Sequence, residues 1–381
     1  MYELGALRAL DEALDGLELT RLDCYVGVSS GAFLAAALAN RIDTEQMCRI
    51  FLTGDSDEVH FRPETFMRPA FGEYLKRLGG VPALAAAWAR ELGAAPHRAR
   101  WSNMVARLAP LLPTGIFDNA AIERFLQDIF TRRGRSNDFR QLASALFVVA
   151  VDLDSGDPVL FGSEGWDDIP ISRAIRASAA LPGLYPPVEI RHRQFVDGAL
   201  RRTMHASVVL DRDVDLMIGL NPLVPFNAKG ERKRGRYLAH GGLPAVLSQT
   251  FRTLLQSRMQ VGLARYAQQY PDIDQWVFEP NADDGEMFFT NVFSYSARHR
   301  ICEIAYRNTM TDLRQRGDGL RAGLKAHGLR VHEEIVGDIH RSILDGLPAR
   351  TPATDTTARL RQALADVGKH VARRRDADSP R

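Results

Sequence analysis

Two serines stand side by side in "YVGVSSGAF", residues 25 to 33, between Gly27 and Gly31. Gly27-Val28-Ser29-Ser30-Gly31 has the G-x-S-x-G spacing, with the strand-like run "RLDCYVGVS" ending at the first serine and the helix-like run "SGAFLAAALAN" after it. A serine at the tip of so sharp a strand-to-helix turn sits in a strained backbone conformation, and glycines two residues to either side let the chain reverse without collision. Ser29 is the candidate nucleophile. Ser30 opens the helix, where its N–H belongs to the unpaired donors and can point at a developing oxyanion. The alternative is a pair of serines that merely cap a helix after a glycine-rich turn.

A serine hydroxyl holds its proton near neutral pH, so a base must remove it as attack occurs. A Ser/His/Asp esterase would place that histidine downstream, where His205, His240, His299, His327, His332 and His340 all lie. None lies in a loop pattern that singles it out; His205, in "RRTMHASVV", is the least poor candidate, and it reads more readily as a packing or surface histidine. A carboxylate is the other choice, and Asp197 ends the strand-like run in "RQFVDGALRR". Asp-Gly is also a frequent hairpin signal that needs no catalysis to explain it. A desolvated Asp197 would be a more capable base, because burial raises its pKa and lets it return the proton to a leaving alkoxide.

The elements around these residues read as alternating strands and helices. Leu4, Leu7, Leu10 and Leu14 fall at helical spacing; "ALFVVAVDL" reads as a buried strand, "DPVLFG" as a neighbour reached through the tight "DSGD" turn, and "VDLMIGLNPL" as another strand. Between them "PISRAIRASAA" reads as a helix stopped by Pro182. The fold class is therefore α/β, with a mainly parallel sheet covered on both faces. Residues of about 44 to 131 form a helical insertion, and from about 235 helical patterns dominate. There Leu247, Phe251, Leu254, Met259 and Leu263 are expected to form a stripe that packs on the core, the alternative being that it lies on a membrane. Residues 347–381 read as a polar tail after a single unit spanning 1–346.

Composition sets outer bounds. With 381 residues, 45% hydrophobic and 25% charged, the chain can bury a sizeable core, and 49 basic against 47 acidic residues leave +2, which offers no general attraction for nucleic acid. Three cysteines, Cys24, Cys48 and Cys302, lack metal or disulfide spacing and read as packing groups. No apolar run is long enough to span a bilayer and the first residues lack the positive charge of a signal peptide, so the expected location is cytoplasmic. The basic stretch "AKGERKRGR", residues 228 to 236, is either a solvated loop or a contact to anionic lipid headgroups.

Three blocks in order, "GVSSGAFLAAAL", "ASAALPGLYPPV" and "FVDGAL", together resemble the patatin-like phospholipase family, and "YELGALRAL" is similar to the helix that follows that family's glycine-rich loop. The likeness covers roughly residues 2 to 225. It implies a three-layer α/β/α fold and a Ser/Asp dyad that cleaves acyl esters of lipids without metal or cofactor, in a soluble or membrane-peripheral protein. Carried over, Ser29 is the nucleophile, Asp197 the base, the Ser30 amide an oxyanion donor, and Gly198 the residue that lets the backbone pass close to the serine. Residues 177 to 188 would run near the acyl pocket. Family members carry a strand and a G-G-G-x-R/K-G loop just before the helix that here begins at Met1. The expectation is that Met1 is an internal methionine of a longer protein. The alternative is a non-catalytic lipid-binding chain, because losing an oxyanion donor costs about 3 to 4 kcal/mol.

Overall fold

The computed structural model describes residues 1–56, 113–201, 204–233, 237–283 and 295–347, with a few positions between 59 and 90. The chain divides into two units, Met1–Ile343 and Leu344–Arg381. Most of the expected helical insertion, the basic residues 234–236 and the tail from 348 lie outside the described residues.

In chain order the first unit begins with α1 (Tyr2–Ala13), β1 (Leu14–Asp15), β2 (Cys24–Val28), α2 (Ser30–Ala39), α3 (Thr44–Cys48) and α4 (Ala120–Phe130). Next come β3 (Ala145–Asp152), β4 (Pro158–Phe161), α5 (Ile171–Ser178), β5 (Val188–Ile190), β6 (Arg193–Asp197) and α6 (Ser207–Leu210). The remainder comprises β7 (Leu216–Leu220), α7 (Lys229–Lys233), α8 (Gly242–Gln269), β8 (Asp274–Phe278), α9 (Tyr295–Gln315), α10 (Gly317–Ala326), β9 (Arg330–Val331) and α11 (Glu333–Gly337). The α/β class expected from the alternating pattern holds.

The five-stranded sheet is built around β3, whose residues from Leu146 to Asp152 are all buried. β2 runs parallel to β3, but β4 and β6 pair with it antiparallel, and β5 pairs antiparallel with β6. The sheet is thus mixed, not mainly parallel as expected. Connection length is the reason for two of the three antiparallel pairs, β3–β4 and β5–β6. β3 turns into β4 through Asp154-Ser155-Gly156-Asp157, where the Asp152 carboxylate accepts from the N–H groups of Asp154 and Ser155. β5 turns into β6 through Arg191-His192, both at positive φ, the mirror-image turn that matches strand twist. Connections this short can only reverse the chain.

Register places two strand ends together. Val148 and Val149 pair with both β2 and β4, while Ala150 and Val151 pair with both β4 and β6. β2 and β6 therefore share the edge of β3 opposite β4, approach from opposite directions, and finish at adjacent positions: Val28 opposite Val149, and Asp197 opposite Ala150.

Helices built from small residues lie close to this sheet. α2, "SGAFLAAALA", packs on β2 and β3, and a Cβ on Gly27 would fall 2.3 Å from the Ala32 Cα, so the strand and the helix after it touch backbone to backbone. The buried Asn40 ends α2: its Nδ2 donates to the Ala36 carbonyl, and its Oδ1 accepts from the Ser136 N–H at 2.7 Å. α1 is buried along nearly its whole length and crosses α9 closely at Gly5, where a Cβ would lie 2.2 Å from the Cys302 carbonyl oxygen. Glu12 of α1 binds the Arg8 guanidinium at 2.6 Å, the Tyr306 hydroxyl at 2.6 Å and Arg341 at 2.8 Å, which joins the two ends of the unit.

A second sheet pairs β7 with β8 in parallel through the long crossover helix α8. The expected core stripe on α8 is only partly realised. Met259 is buried, but Leu247 and Leu254 are exposed. At 3.6 residues per turn the apolar residues of α8 fall on two sides of the helix, and only one side meets the core.

Candidate functional site

Ser29 occupies the junction between β2 and α2 with φ 54° and ψ −124°. A non-glycine residue at positive φ is strained, at a cost on the order of 1 to 3 kcal/mol, and persists only where its surroundings impose it. Here the Ser29 N–H donates to Ser178 Oγ at 2.9 Å, and the Ser178 hydroxyl donates in turn to the Val149 carbonyl at 2.6 Å. Ser178, wholly buried at the end of α5, thus ties the turn to the central strand. The α2 end is fastened by the Ala32 N–H on the Ser29 carbonyl.

Asp197 is 1% exposed. It closes β6 and caps a 3₁₀ turn at Gly198–Leu200, with its side chain accepting from the Ala199 N–H at 2.9 Å. The chain does not double back at Asp-Gly as a hairpin would. Gly198 passes so near β3 that a Cβ would lie 2.3 Å from the Val149 carbonyl oxygen and 3.1 Å from Val28 Cγ1, which keeps this turn against the end of β2. Burial raises the Asp197 carboxyl to about 6, opposed by hydrogen bonds from the Ser29 side chain and the Ala199 N–H. The structure brings Ser29 and Asp197 together.

Both residues open on a cavity of about 490 Å³, with Ser30 and Gly31 beside them. Its walls are mostly aliphatic, with Leu34 and Leu38 from α2, Val26 and Val28 from β2, Val209 from α6 and Phe251 from α8. Among the described residues β2 pairs with β3 alone and β7 with β8 alone, and residues of both strands border this cavity. Nothing crowds the Cβ direction of Gly31, whereas Gly27 and Gly198 have backbone against them. Ser30 heads α2, and its hydroxyl donates to the buried Glu3 Oε1 at 2.7 Å, which leaves its N–H as a separate donor at the helix start.

The histidines fall elsewhere. His205 is buried at positive φ, with Nε2 3.5 Å from the Gly198 carbonyl, and borders a neighbouring cavity with Asp211 and Tyr266 instead of the one at Ser29. His240, His299 and His340 are exposed. His327 does reach the Ser29 cavity, with Nε2 2.7 Å from Asp274 Oδ2. Sequence reasoning gave no special place to Ser178, Glu3 or the His327–Asp274 pair. Their partners lie 149, 27 and 53 residues away, with no shared motif to announce the contact.

All three cysteines are free thiols, and burial pushes them upward, as expected of packing groups. Among the described residues no cluster of His, Cys, Asp or Glu could hold a metal ion, and no helix is long and apolar enough to cross a membrane.

A strained serine between strand and helix thus stands beside a buried aspartate at the end of a second strand of one α/β sheet. The chain belongs to the patatin-like phospholipase family, whose model matches residues 1–210. Among solved structures it is similar to VipD from Legionella pneumophila at 17% identity and a TM-score of 0.35, over 81% of this chain and 64% of that one. The chain thus spans less than two thirds of that protein's length.

Proposed function

We propose that this protein is a lipid acyl hydrolase in which Ser29 and Asp197 act as a catalytic dyad. The observation that carries this reading is the strained Ser29 turn held beside the buried Asp197 at a largely aliphatic cavity. In this reading Ser29 Oγ attacks the ester carbonyl carbon while its proton passes to the Asp197 carboxylate. The carbonyl oxygen gains negative charge, and the Ser30 N–H at the head of α2 faces it. When the tetrahedral species collapses, the bond to the leaving oxygen breaks and Asp197 returns the proton to that oxygen. Water then attacks the acyl-serine, with Asp197 again taking and returning a proton. A three-layer arrangement belongs to the same reading, supported by the packing of α2 and α5 on β3 and of α6 on β2.

Hydrolysis of a short acyl ester and of phospholipid by purified protein tests this. Ser29→Ala and Asp197→Asn are expected to abolish turnover, and His205→Ala and His327→Ala to leave it within a few-fold of the parent. Loss of activity in His327→Ala with an active Asp197→Asn would favour a Ser/His/Asp esterase. Vesicle binding by a protein with no esterase activity at all would favour a lipid-binding role.

A further inference from the structure

Helix α8 carries an apolar face that no described part of the protein covers. Leu243, Leu247, Leu254 and Val261 are 69, 58, 59 and 70% exposed. With 3.6 residues per turn, the four fall within about 40° of one another and extend about 27 Å along the helix, while Leu255 and Met259 turn toward the protein. The four therefore share one face of the helix, with Arg258 on that same face between Leu254 and Val261. Leu247 and Leu254 also lie one turn to either side of Phe251, which walls the cavity containing Ser29.

Charge decides what such a face can meet. The 28 residues of α8 contain Arg252, Arg258 and Arg265 and no Asp or Glu. Arg252 turns inward to the carbonyls of Pro222 and Val224, but Arg258 and Arg265 lie along the exposed face and make no ion pair among the described residues. Just before the helix, residues 229–236 hold five basic side chains and one acidic one, and those of Lys229 and Arg232 are exposed. A second copy packed on this stripe would bring arginines against arginines with no carboxylate from the helix to separate them. An anionic bilayer surface supplies both things the face lacks, acyl chains for the leucines and phosphates for the cations.

We propose that α8 is an interfacial helix that seats the protein on anionic lipid surfaces through Leu243, Leu247, Leu254 and Val261, with Arg258, Arg265, Lys229 and Arg232 facing the headgroups. Binding in this orientation brings a wall of the Ser29 cavity within one helical turn of the lipid. The proposal does not depend on the chemistry of Ser29.

The test uses the full chain carrying Ser29→Ala, so that lipid is not consumed, sedimented with vesicles of phosphatidylcholine alone or mixed with phosphatidylglycerol. Binding is expected to be at least tenfold stronger to the anionic vesicles and to weaken as salt rises. The double variant Leu247→Gln/Leu254→Gln should lose at least tenfold in affinity with an unchanged melting temperature, since both residues are already exposed. Arg258→Gln/Arg265→Gln should lose affinity for anionic vesicles selectively. Equal binding to both vesicle types, or binding untouched by the Leu247/Leu254 pair, overturns the proposal. So does a particle of twice the chain mass in light scattering that falls to one chain mass in that pair, because the stripe would then be a dimer face.

Discussion

Ser29 follows the residue paired with Val149, and Asp197 pairs with Ala150, so the hydroxyl and the carboxylate are positioned from neighbouring residues of one buried strand. Their proximity therefore comes from main-chain register. What each side chain does there depends on protonation, and this makes the pair testable by pH.

Esterase activity should rise with pH and reach half its plateau near 6, because Asp197 must be ionised to accept the serine proton and burial lifts it to about 6. The initial-rate profile of kcat between pH 4.5 and 8 measures this. A plateau continuing down to pH 4.5 would contradict the assignment.

The same carboxyl makes a prediction for stability. Its folded pKa lies above its ordinary value, so the native state holds the proton more tightly. Asp197's favourable contribution is complete below about pH 4 and is lost as pH rises through about 6. At pH 8 the buried anion costs on the order of 2 to 3 kcal/mol, and Asp197→Asn should be more stable than the parent there. Urea unfolding of both proteins at pH 4 and pH 8 should show the gap open only at the higher pH.

Strain at Ser29 predicts an inactive but stabilised variant. Ser29→Gly removes the Cβ penalty at φ 54° and should raise stability by about 1 kcal/mol, less than the full strain because glycine has more freedom when unfolded. Ser178→Ala is the counterpart, leaving the Ser29 N–H and the Val149 carbonyl without their shared partner. That variant should lose about 1 to 3 kcal/mol of stability and lower kcat far more than it raises KM, read from steady-state kinetics on a short ester.

The glycines of the two turns should separate by function. Gly27→Ala and Gly198→Ala place a methyl 2.3 Å from backbone and should either unfold the protein or lower its melting temperature steeply. Gly31→Ala meets nothing within 4 Å and should melt like the parent. Differential scanning calorimetry of the three distinguishes these outcomes.

Far from the site, Glu12→Gln removes the one carboxylate that Arg8, Tyr306 and Arg341 share. Arg8 keeps Asp11 at 3.7 Å and Thr44 at 3.3 Å but loses its shorter ion pair, a loss of about 1 to 3 kcal/mol. Chemical unfolding should show that loss, with catalytic constants unchanged in the protein that remains folded.

The parts legible in the sequence are those written locally. The glycines and serines of residues 27 to 31 state a strand-to-helix turn, "ALFVVAVDL" states a buried strand, and "DSGD" states a tight reversal. That last signal already implied an antiparallel neighbour, and alternation of strands and helices outweighed it when a mainly parallel sheet was expected. Ser178 could not be singled out, because its role is to bridge Ser29 and Val149, two residues that become neighbours only once the sheet has formed. An inward-facing α8 stripe fails for a related reason. Its apolar residues lie on both sides of the helix, and periodicity alone does not say which side the rest of the chain will cover.

Positioning Ser29 and Asp197 from a single strand governs which changes of length this protein can tolerate. Insertions in the turn of residues 163–168, between β4 and α5, change neither pairing, so that loop can lengthen or shorten while the separation of hydroxyl and carboxylate stays constant. A single deletion within residues 193 to 196 is another matter. It would shift β6 by one step against β3 and turn the Asp197 carboxylate to the opposite face of the sheet from Ser29.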